Sequence, residues 1–204
     1  MKLEKSIERV VIALRPEAQA SIPALRTFLG LVQTWNAKID LTAARTPAAL
    51  ADVMIADALV MAEDGCIPHG AHLLDVGSGA GGPAIPLAIV RPDLRITMLE
   101  PQQKRVAFLR TAIGTLGLAP RVSAIAGRIE LERPSIDVVA DVACARATFS
   151  PTDWLAAGLV LAPTVLVLTT PEEAPSAAPT VRRDYRWTGS GAPRALLRFD
   201  RPTT

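Results

Sequence analysis

The segment Leu73-Leu74-Asp75-Val76-Gly77-Ser78-Gly79-Ala80-Gly81-Gly82, residues 73–82, is the strongest indication of the fold of this chain. Its first four residues predict a short buried strand. The glycines end that strand, because they let the backbone turn tightly and approach a ligand. A helical run to Val90 follows, and the start of such a helix presents unpaired backbone amides. Gly77, Gly79 and Gly82 also have the spacing G-x-G-x-x-G that is typical of dinucleotide-binding proteins.

Strands and helices alternate after this segment. Further strands are predicted at residues 95–100, 122–126, 137–143 and 165–168, and helices at 102–116 and 151–161. Strands that alternate with helices of this length indicate a mostly parallel sheet covered on both faces. The tail departs from the alternation, since two strand-like runs, 181–187 and 194–199, are joined by a short connection and must pair antiparallel.

Three helical segments precede the glycine segment. Apolar residues recur at helical spacing within residues 7–14 and 22–35. Thr46 followed by Pro47 is typical of an N-cap with proline at the first helical position, and predicts a helix that runs to Met61. The sequence therefore predicts an N-terminal helical extension, residues 1–70, and an α/β domain, residues 71–204, that carries the ligand site.

Composition excludes several classes of protein. The chain has 204 residues, half of them apolar, and its net charge of +2 indicates a packed core rather than intrinsic disorder. Its best candidate for a membrane span, residues 154–168, carries no charge but is interrupted by Pro163 and is shorter than the ~20 residues that span a membrane. Cys66 and Cys144 match no metal or redox spacing, and the N-terminus does not have the pattern of a signal peptide. We therefore expect free thiols, no metal site, no membrane contact and a cytoplasmic protein.

Two acids near the glycine segment narrow the choice of ligand. Asp75 stands two residues before the first glycine, where its carboxylate can face a cationic group. S-adenosylmethionine has an ammonium and a sulfonium, whereas a dinucleotide presents an anionic pyrophosphate at that place. Glu100 ends the second strand, 18 residues after Gly82, where a carboxylate can accept hydrogen bonds from ribose hydroxyls. The antiparallel tail and the lack of a second full-sized domain favour the methyl donor over a nicotinamide cofactor.

The predicted fold is therefore that of a class I S-adenosylmethionine-dependent methyltransferase. This α/β fold has a seven-stranded, mostly parallel sheet with an antiparallel C-terminal hairpin, here preceded by N-terminal helices.

Four segments carry a closer resemblance. They are Trp-Asn-Ala-Lys-Ile-Asp-Leu-Thr-Ala at residues 35–43, the glycine segment continued to Pro92, Lys-Arg-Val-Ala-Phe-Leu-Arg at 104–110 and Ala-Arg-Ala at 145–147. Together they resemble the family of ribosomal RNA small subunit methyltransferase G, also called glucose-inhibited division protein B. The resemblance implies transfer of a methyl group from S-adenosylmethionine to N7 of one guanine in small-subunit (16S) ribosomal RNA, and a ribosomal RNA or particle as partner of a monomeric enzyme.

The resemblance also implies site residues. It places the methyl donor against Gly77 and Gly82, and it adds Ile129 and Glu130, which flank the adenine, and Arg146. The expected cofactor-binding set consists of these residues, Ser78 and Gly79 of the loop, and the two acids Asp75 and Glu100. Arg146 is also the candidate catalytic residue, either as a donor to O6 of the guanine or as a partner of the donor's carboxylate. A third interpretation of Arg146 is an ion pair with Asp141 or another nearby acid.

The chain departs from the family pattern at two places that should lie at the RNA-facing rim. Where members carry Arg-His before an Asp-Ser pair, this chain has Val53, Met54, Asp57 and Ala58, and where their fifth strand ends in Lys-Gly it has residues 168–170, Leu-Thr-Thr. Two alternatives therefore stay open. One is a methyltransferase of the same fold that acts on another RNA, a protein or a small molecule. The other is an S-adenosylmethionine-binding module that does not catalyse.

Overall fold

Seven strands form one sheet in the computed structural model, which describes residues 2–202. The outer ends of the two predicted domains, residues 1 and 203–204, lie outside the described part of the chain. The strands are β1 (His72–Val76), β2 (Arg95–Glu100), β3 (Val122–Ala126), β4 (Val142–Arg146), β5 (Thr164–Thr169), β6 (Val181–Arg186) and β7 (Pro193–Asp200). Their order is β3-β2-β1-β4-β5-β7-β6, and the first five are parallel. β7 pairs antiparallel with β5 and with β6. The predicted sheet is thereby confirmed, including the antiparallel hairpin.

The helices lie on both sides of the sheet. They are α1 (Leu3–Leu14), α2 (Ile22–Asn36), α3 (Pro47–Ala51), α4 (Asp57–Met61), α5 (Ala84–Val90), α6 (Gln103–Thr115) and α7 (Pro151–Leu161), with short 3-10 helices at Pro16–Ser21 and Pro171–Glu173. Contacts to the strands place α4, α5 and α6 on the sheet, and α1 and α2 pack against these helices in turn. α7 packs on β4 and β5. The Thr46 hydroxyl accepts a hydrogen bond from the amide of Ala49 and caps α3, as its sequence predicts.

Alternating residues of each strand divide the core in two. Leu73, Met98 and Leu166 pack with the N-terminal helices in one cluster, which includes Phe28 of α2. A second cluster on the opposite face is built around Trp154 of α7, and it contains these strand residues: Leu74, Val76, Leu99, Val165, Val167, Leu197 and Phe199. Both faces of the sheet are therefore buried, which explains why its central strands are mostly apolar.

The prediction for β4 was wrong in position. Residues 137–143 were expected to form the strand, but it begins at Val142 and ends at Arg146. Asp141 sets this register, because its amide donates to the His72 carbonyl (2.9 Å) and its carboxylate accepts from the His72 amide (2.8 Å). Val139, apolar in sequence, is 92% exposed in the preceding segment. The shift places Cys144 and Arg146 within the strand, and Arg146 at its carboxyl end.

The helix predicted from Pro47 to Met61 forms, but a π-helical segment, Asp52–Ala56, interrupts it. A π turn closes after about five residues instead of four. Asp52 and Asp57, five residues apart, therefore both face the C-terminal hairpin, with which their carboxylates form hydrogen bonds. The apolar spacing of this segment does not distinguish such a turn from a regular helix.

Candidate active site

A cavity of about 740 Å³ opens at the carboxyl ends of the parallel strands, within the ~300–1,000 Å³ typical of small-molecule sites. Its floor is the glycine loop after β1, together with Glu100 at the end of β2 and Arg146 at the end of β4. The π-helical segment closes one side with Val53 and Met54. The C-terminal hairpin closes another side. Parallel strands present their carboxyl ends at one edge, which is where open α/β sheets bind ligands.

The glycine loop offers backbone without side chains. Gly77 has φ +76° and Gly79 φ +54°, the left-handed region that favours glycine. A Cβ added at Gly77 would lie 2.7 Å from Cγ2 of Thr148. The amides of Gly77 and Ser78 both donate to the Leu99 carbonyl, at 2.8 and 3.2 Å, which holds the loop over the end of β2. The loop is thus shaped for close approach of a ligand to backbone.

Glu100 ties this loop to β2. Its carboxylate is buried and accepts from the amide of Gly79 at 2.8 Å and from the amide of Gln102 at 3.0 Å. Each carboxylate oxygen retains a second lone pair. Glu100 lines the cavity, so those lone pairs are placed to accept from hydroxyl groups of a ligand.

Asp75 lies beneath the loop and is 1% exposed. One of its oxygens, Oδ1, accepts from Sγ of Cys144 at 3.4 Å, whereas Oδ2 is buried without a hydrogen-bond partner among the described residues. Burial raises the pKa of this carboxyl above its ordinary value, because desolvation penalises the charged form. A buried polar atom without a partner calls for an explanation, and a cationic ligand group at the loop would supply one.

Cys144 is not placed to act as a nucleophile. Its thiol is buried, and burial together with the neighbouring Asp75 carboxylate raises its pKa well above the usual value. Since the thiolate is the reactive form, a thiol held in its protonated form is inert.

Arg146 is held by the π-helical segment. Its Nη1 donates to Oδ2 of Asp57 at 3.1 Å and also to the carbonyl of Val53. Of the ion pairs that the sequence suggested, the one with Asp141 does not form, and Asp57 is the partner. The guanidinium lines the cavity with its side chain 19% exposed, so it is oriented by protein atoms and still accessible from the cavity.

The structure brings most predicted site residues to one place. Gly77, Ser78, Gly79, Gly82, Glu100 and Arg146 all line the cavity. Asp75 is buried in β1, two residues before the loop, and is not among the lining residues. Ile129 is buried against the second core cluster and Glu130 is exposed, and neither is among the lining residues. Their assignment to the adenine remains a prediction from the resemblance.

Sequence reasoning missed the contribution of the C-terminal hairpin. Tyr185, Trp187 and Arg194 line the cavity. Tyr185 Oη donates to Oδ1 of Asp57 at 2.6 Å, Trp187 Nε1 donates to the same oxygen at 3.3 Å, and the Arg194 guanidinium lies 3.8 Å from the Trp187 ring centroid. The signal was present, because residues 181, 183, 185 and 187 share one face of a strand by their period of two. The sequence alone does not show that this face meets the cavity.

Neither a metal cluster nor a membrane span is found within residues 2–202. No group of three or more His, Cys, Asp and Glu side chains in this range is arranged to hold a metal ion. No helix formed by these residues combines the length and the apolar character needed to cross a bilayer.

Comparison with known proteins extends this description. Residues 21–161 match the model of the family GidB, rRNA small subunit methyltransferase G. A ribosomal RNA small subunit methyltransferase G from Nitrosomonas europaea is 38% identical over 136 residues, which are 64% of this chain and 60% of the relative. The protein of the same name from Anaeromyxobacter sp. (strain Fw109-5) is 32% identical over 157 residues, 77% of this chain and 70% of the relative. The matches to the first relatives thus span about 60% of those proteins' length.

Solved structures show the fold. An O-methyltransferase from Bacillus cereus, in complex with S-adenosylhomocysteine (SAH), aligns with a TM-score of 0.56 over 86% of this chain and 91% of its own, at 15% identity. A tRNA methyltransferase from B. subtilis aligns with a TM-score of 0.51 over 71% and 65%, also at 15% identity. With the observed strand order, these likenesses identify the sheet as the class I methyltransferase fold, as predicted.

Proposed function

Because this chain belongs to the rRNA small subunit methyltransferase G family, we propose that it transfers a methyl group from S-adenosylmethionine to N7 of a guanine in small-subunit ribosomal RNA. The observation that carries the proposal is the match over residues 21–161, which includes the helices that close the cavity as well as the glycine loop. Two relatives that are 38% and 32% identical to this chain over the aligned residues bear the name ribosomal RNA small subunit methyltransferase G.

The residues at the carboxyl edge of the sheet fit the methyl donor. The open space beside Gly79 provides room for a nucleoside and its tail, whereas Gly77 allows the loop to pack against Thr148. The unpartnered oxygen of Asp75 and the carboxylate of Glu100 supply negative charge and hydrogen-bond acceptors for a cation with ribose hydroxyls. Together with Ser78 and Gly82, these residues form the proposed binding site. Ile129 and Glu130 remain in it on the strength of the resemblance.

Little acid–base chemistry is required of the protein. S-adenosylmethionine supplies an electrophilic methyl group bound to a sulfonium. N7 of guanine has a free lone pair, so no residue has to remove a proton before attack. The work of this chain is then to orient the acceptor, and orientation can contribute roughly 7–11 kcal/mol in favourable cases. This agrees with a cavity in which, among the described residues, no nucleophilic side chain is paired with a general base. The thiol of Cys144, which is buried, is inert.

Arg146 is the proposed catalytic residue. Val53 and Asp57 hold its guanidinium on the side of the cavity formed by the π-helical segment and the hairpin. We assign it to the acceptor, as a hydrogen-bond donor to O6 of the guanine. Such a contact draws electron density from the ring, which makes N7 less nucleophilic. It also fixes the base with N7 towards the methyl group, so Arg146 promotes the reaction by orienting the acceptor.

Cationic side chains near the cavity support an RNA partner. Arg105 lines both the cavity and an adjoining groove of about 430 Å³, which also contains Lys38 and Lys104. Lys and Arg contacts to phosphates supply much of the affinity for nucleic acids. We also propose that the protein is monomeric and is located in the cytoplasm.

A second candidate is the same transfer to a different acceptor. Tyr185, Trp187 and Arg194 belong to a hairpin outside the family match and still line the cavity. The chain also lacks the family's His and Lys, at positions occupied by Met54 and Thr169. Because the side of the cavity that should face the methyl acceptor departs from the family pattern, a different acceptor is favoured. It can be another RNA, a protein or a small molecule.

One experiment separates these candidates. The purified protein is incubated with radiolabelled S-adenosylmethionine and with naked small-subunit RNA, intact small subunits, total RNA and a protein and metabolite extract. Label in 7-methylguanosine of small-subunit RNA supports the first proposal, and label elsewhere supports the second. If the protein binds the donor but labels nothing, both fail and the non-catalytic binding module stands.

A further inference from the structure

The buried carboxylate of Asp57 accepts hydrogen bonds from three side chains, one at the end of β4 and two in the C-terminal hairpin. It is 2% exposed. Oδ1 accepts from Tyr185 Oη at 2.6 Å and from Trp187 Nε1 at 3.3 Å, and Oδ2 accepts from Arg146 Nη1 at 3.1 Å. Burial and the adjacent Asp57 charge raise the pKa of the Tyr185 hydroxyl, so it stays protonated and able to donate. A carboxylate removed from water costs several kcal/mol unless it is paired in this way.

The same contacts fix one end of the Arg146 guanidinium. Nη1 is engaged by Asp57 and by the Val53 carbonyl. Within residues 2–202, Nε and Nη2 of Arg146 make no hydrogen bond to other residues. The side chain lines the cavity, so these two groups remain for a ligand. Because guanidinium is planar, holding Nη1 also sets the plane in which Nε and Nη2 can donate.

A neighbouring acid shows what a purely structural anchor looks like. Asp52, five residues earlier, is 1% exposed and accepts from the Thr188 hydroxyl at 3.1 Å and from the amides of Gly189 and Ser190 at 2.9 and 3.2 Å. It also ties the helical segment to the hairpin. It is not among the residues lining the cavity. Asp57 differs from Asp52 in two respects, because it lines the cavity and contacts the proposed catalytic residue.

We propose that Asp57 is a positioning residue that orients Arg146 towards the acceptor, and that Tyr185 and Trp187 of the C-terminal hairpin hold Asp57 for this task. The hairpin is then part of the active site, although it lies beyond the family match. This proposal rests on the proposed function, which supplies the identity of the methyl acceptor.

The test compares Asp57→Asn with the matched control Asp52→Asn. We expect Asp57→Asn to lower kcat for methyl transfer about 10- to 100-fold, the size of effect seen when a residue that orients a functional group is removed. Its Kd for S-adenosylmethionine should stay within about twofold of the wild type, since the Asp57 carboxylate forms its hydrogen bonds with Arg146, Tyr185 and Trp187 and not with the glycine loop. Asp52→Asn should lower thermal stability and leave kcat unchanged well below its melting temperature. Equal loss of kcat in both variants would show that Asp57 is only a structural anchor.

A milder variant tests the proposal in case Asp57→Asn does not fold. Tyr185→Phe removes one donor to Asp57 and keeps the ring, so it should reduce kcat less than Asp57→Asn does, again with donor Kd unchanged. An unchanged kcat in a folded Tyr185→Phe protein would remove the hairpin from the proposal.

A readout without turnover separates this inference from the proposed function. In the wild type, NMR should show slow rotation of the Arg146 guanidinium, and faster rotation in Asp57→Asn but not in Asp52→Asn. If this pattern is found and no acceptor is methylated, the proposed function fails and the positioning of Arg146 stands. If the guanidinium is equally mobile in all three proteins, the positioning role is refuted whatever the activity.

Discussion

At the glycine loop, single residues lower the folding stability of the protein and favour the binding of a ligand. Asp75 is the clearest case, since Oδ2 has no hydrogen-bond partner among the described residues and burial raises the pKa of its carboxyl. A raised folded-state pKa means that the ionised carboxyl disfavours the fold at neutral pH, and that its unfavourable contribution fades as pH falls. We expect Asp75→Asn to raise the melting temperature or leave it unchanged, and to weaken S-adenosylmethionine binding about tenfold or more.

Calorimetric titration and thermal unfolding measure these two quantities. Asp137→Asn is the control, because Asp137 is exposed in an irregular segment and should change neither. A folded Asp75→Asn protein with wild-type affinity would exclude Asp75 from the donor site.

Gly77 gives the second prediction at this scale. Gly77→Ala places a Cβ at φ +76° and 2.7 Å from Cγ2 of Thr148, so the loop or the Thr148 side chain must move. We expect a loss of about 1–3 kcal/mol of stability and a large loss of donor affinity. Gly114→Ala is the matched control, since Gly114 lies in α6 with open space around its Cβ position. That substitution should stabilise by roughly 0.5–1 kcal/mol. Donor affinity retained in Gly77→Ala would mean that the loop does not cradle the ligand.

At the scale of elements, an ion pair fastens the turn between α5 and β2. Arg91 Nη2 lies 2.7 Å from Asp93 Oδ2, which also accepts from the Gly70 amide at 3.0 Å. The hydrogen bond from Arg91 holds the pKa of Asp93 well below its usual range. A depressed folded-state pKa stabilises the fold above the unfolded value of about 3.9, and this stabilisation is lost as pH falls below it.

We therefore expect Asp93→Asn to cost about 1 kcal/mol of unfolding free energy at pH 7, with the difference shrinking below about pH 4. Urea unfolding at several pH values measures it. Asp184→Asn, which breaks the exposed pair of Asp184 and Arg182 at 2.9 Å, should cost little at any pH. A pH-independent cost for Asp93→Asn would show that the carboxylate charge is not what stabilises the turn.

The sequence predicts elements better where the pattern is local. The glycine loop, the acid at the end of β2 and the N-cap at Thr46 depend on neighbouring residues, and the structure has all three. The start of β4 depends instead on Asp141 pairing with His72, a residue 69 positions away, and periodicity cannot reveal it. The π-helical segment and its contact with Tyr185 are equally non-local, which is why the partner of Arg146 could not be predicted.

For the whole molecule, the question is whether the predicted helical extension, residues 1–70, unfolds separately from the sheet. One core cluster contains Phe28 of α2 together with Leu73 and Met98 of the sheet. Trp35 and Phe108 meet edge to face, with ring centroids 5.6 Å apart, and join α2 to α6. Elements that share a core lose their packing together, so we expect a single cooperative transition.

Phe28→Ala tests this expectation. Phe28 is fully buried, and truncation to Ala should cost about 3–5 kcal/mol. Because the core is shared, the whole transition should shift, whether it is followed by far-ultraviolet circular dichroism or by the fluorescence of the three tryptophans, of which Trp154 lies on the opposite face of the sheet. Ile12→Ala is the control, since Ile12 of α1 is 58% exposed and should shift the transition little. Two separate transitions, only the first of them moved by Phe28→Ala, would instead show that the helical extension and the sheet are independent domains, and the cavity between them would then depend on how firmly they dock.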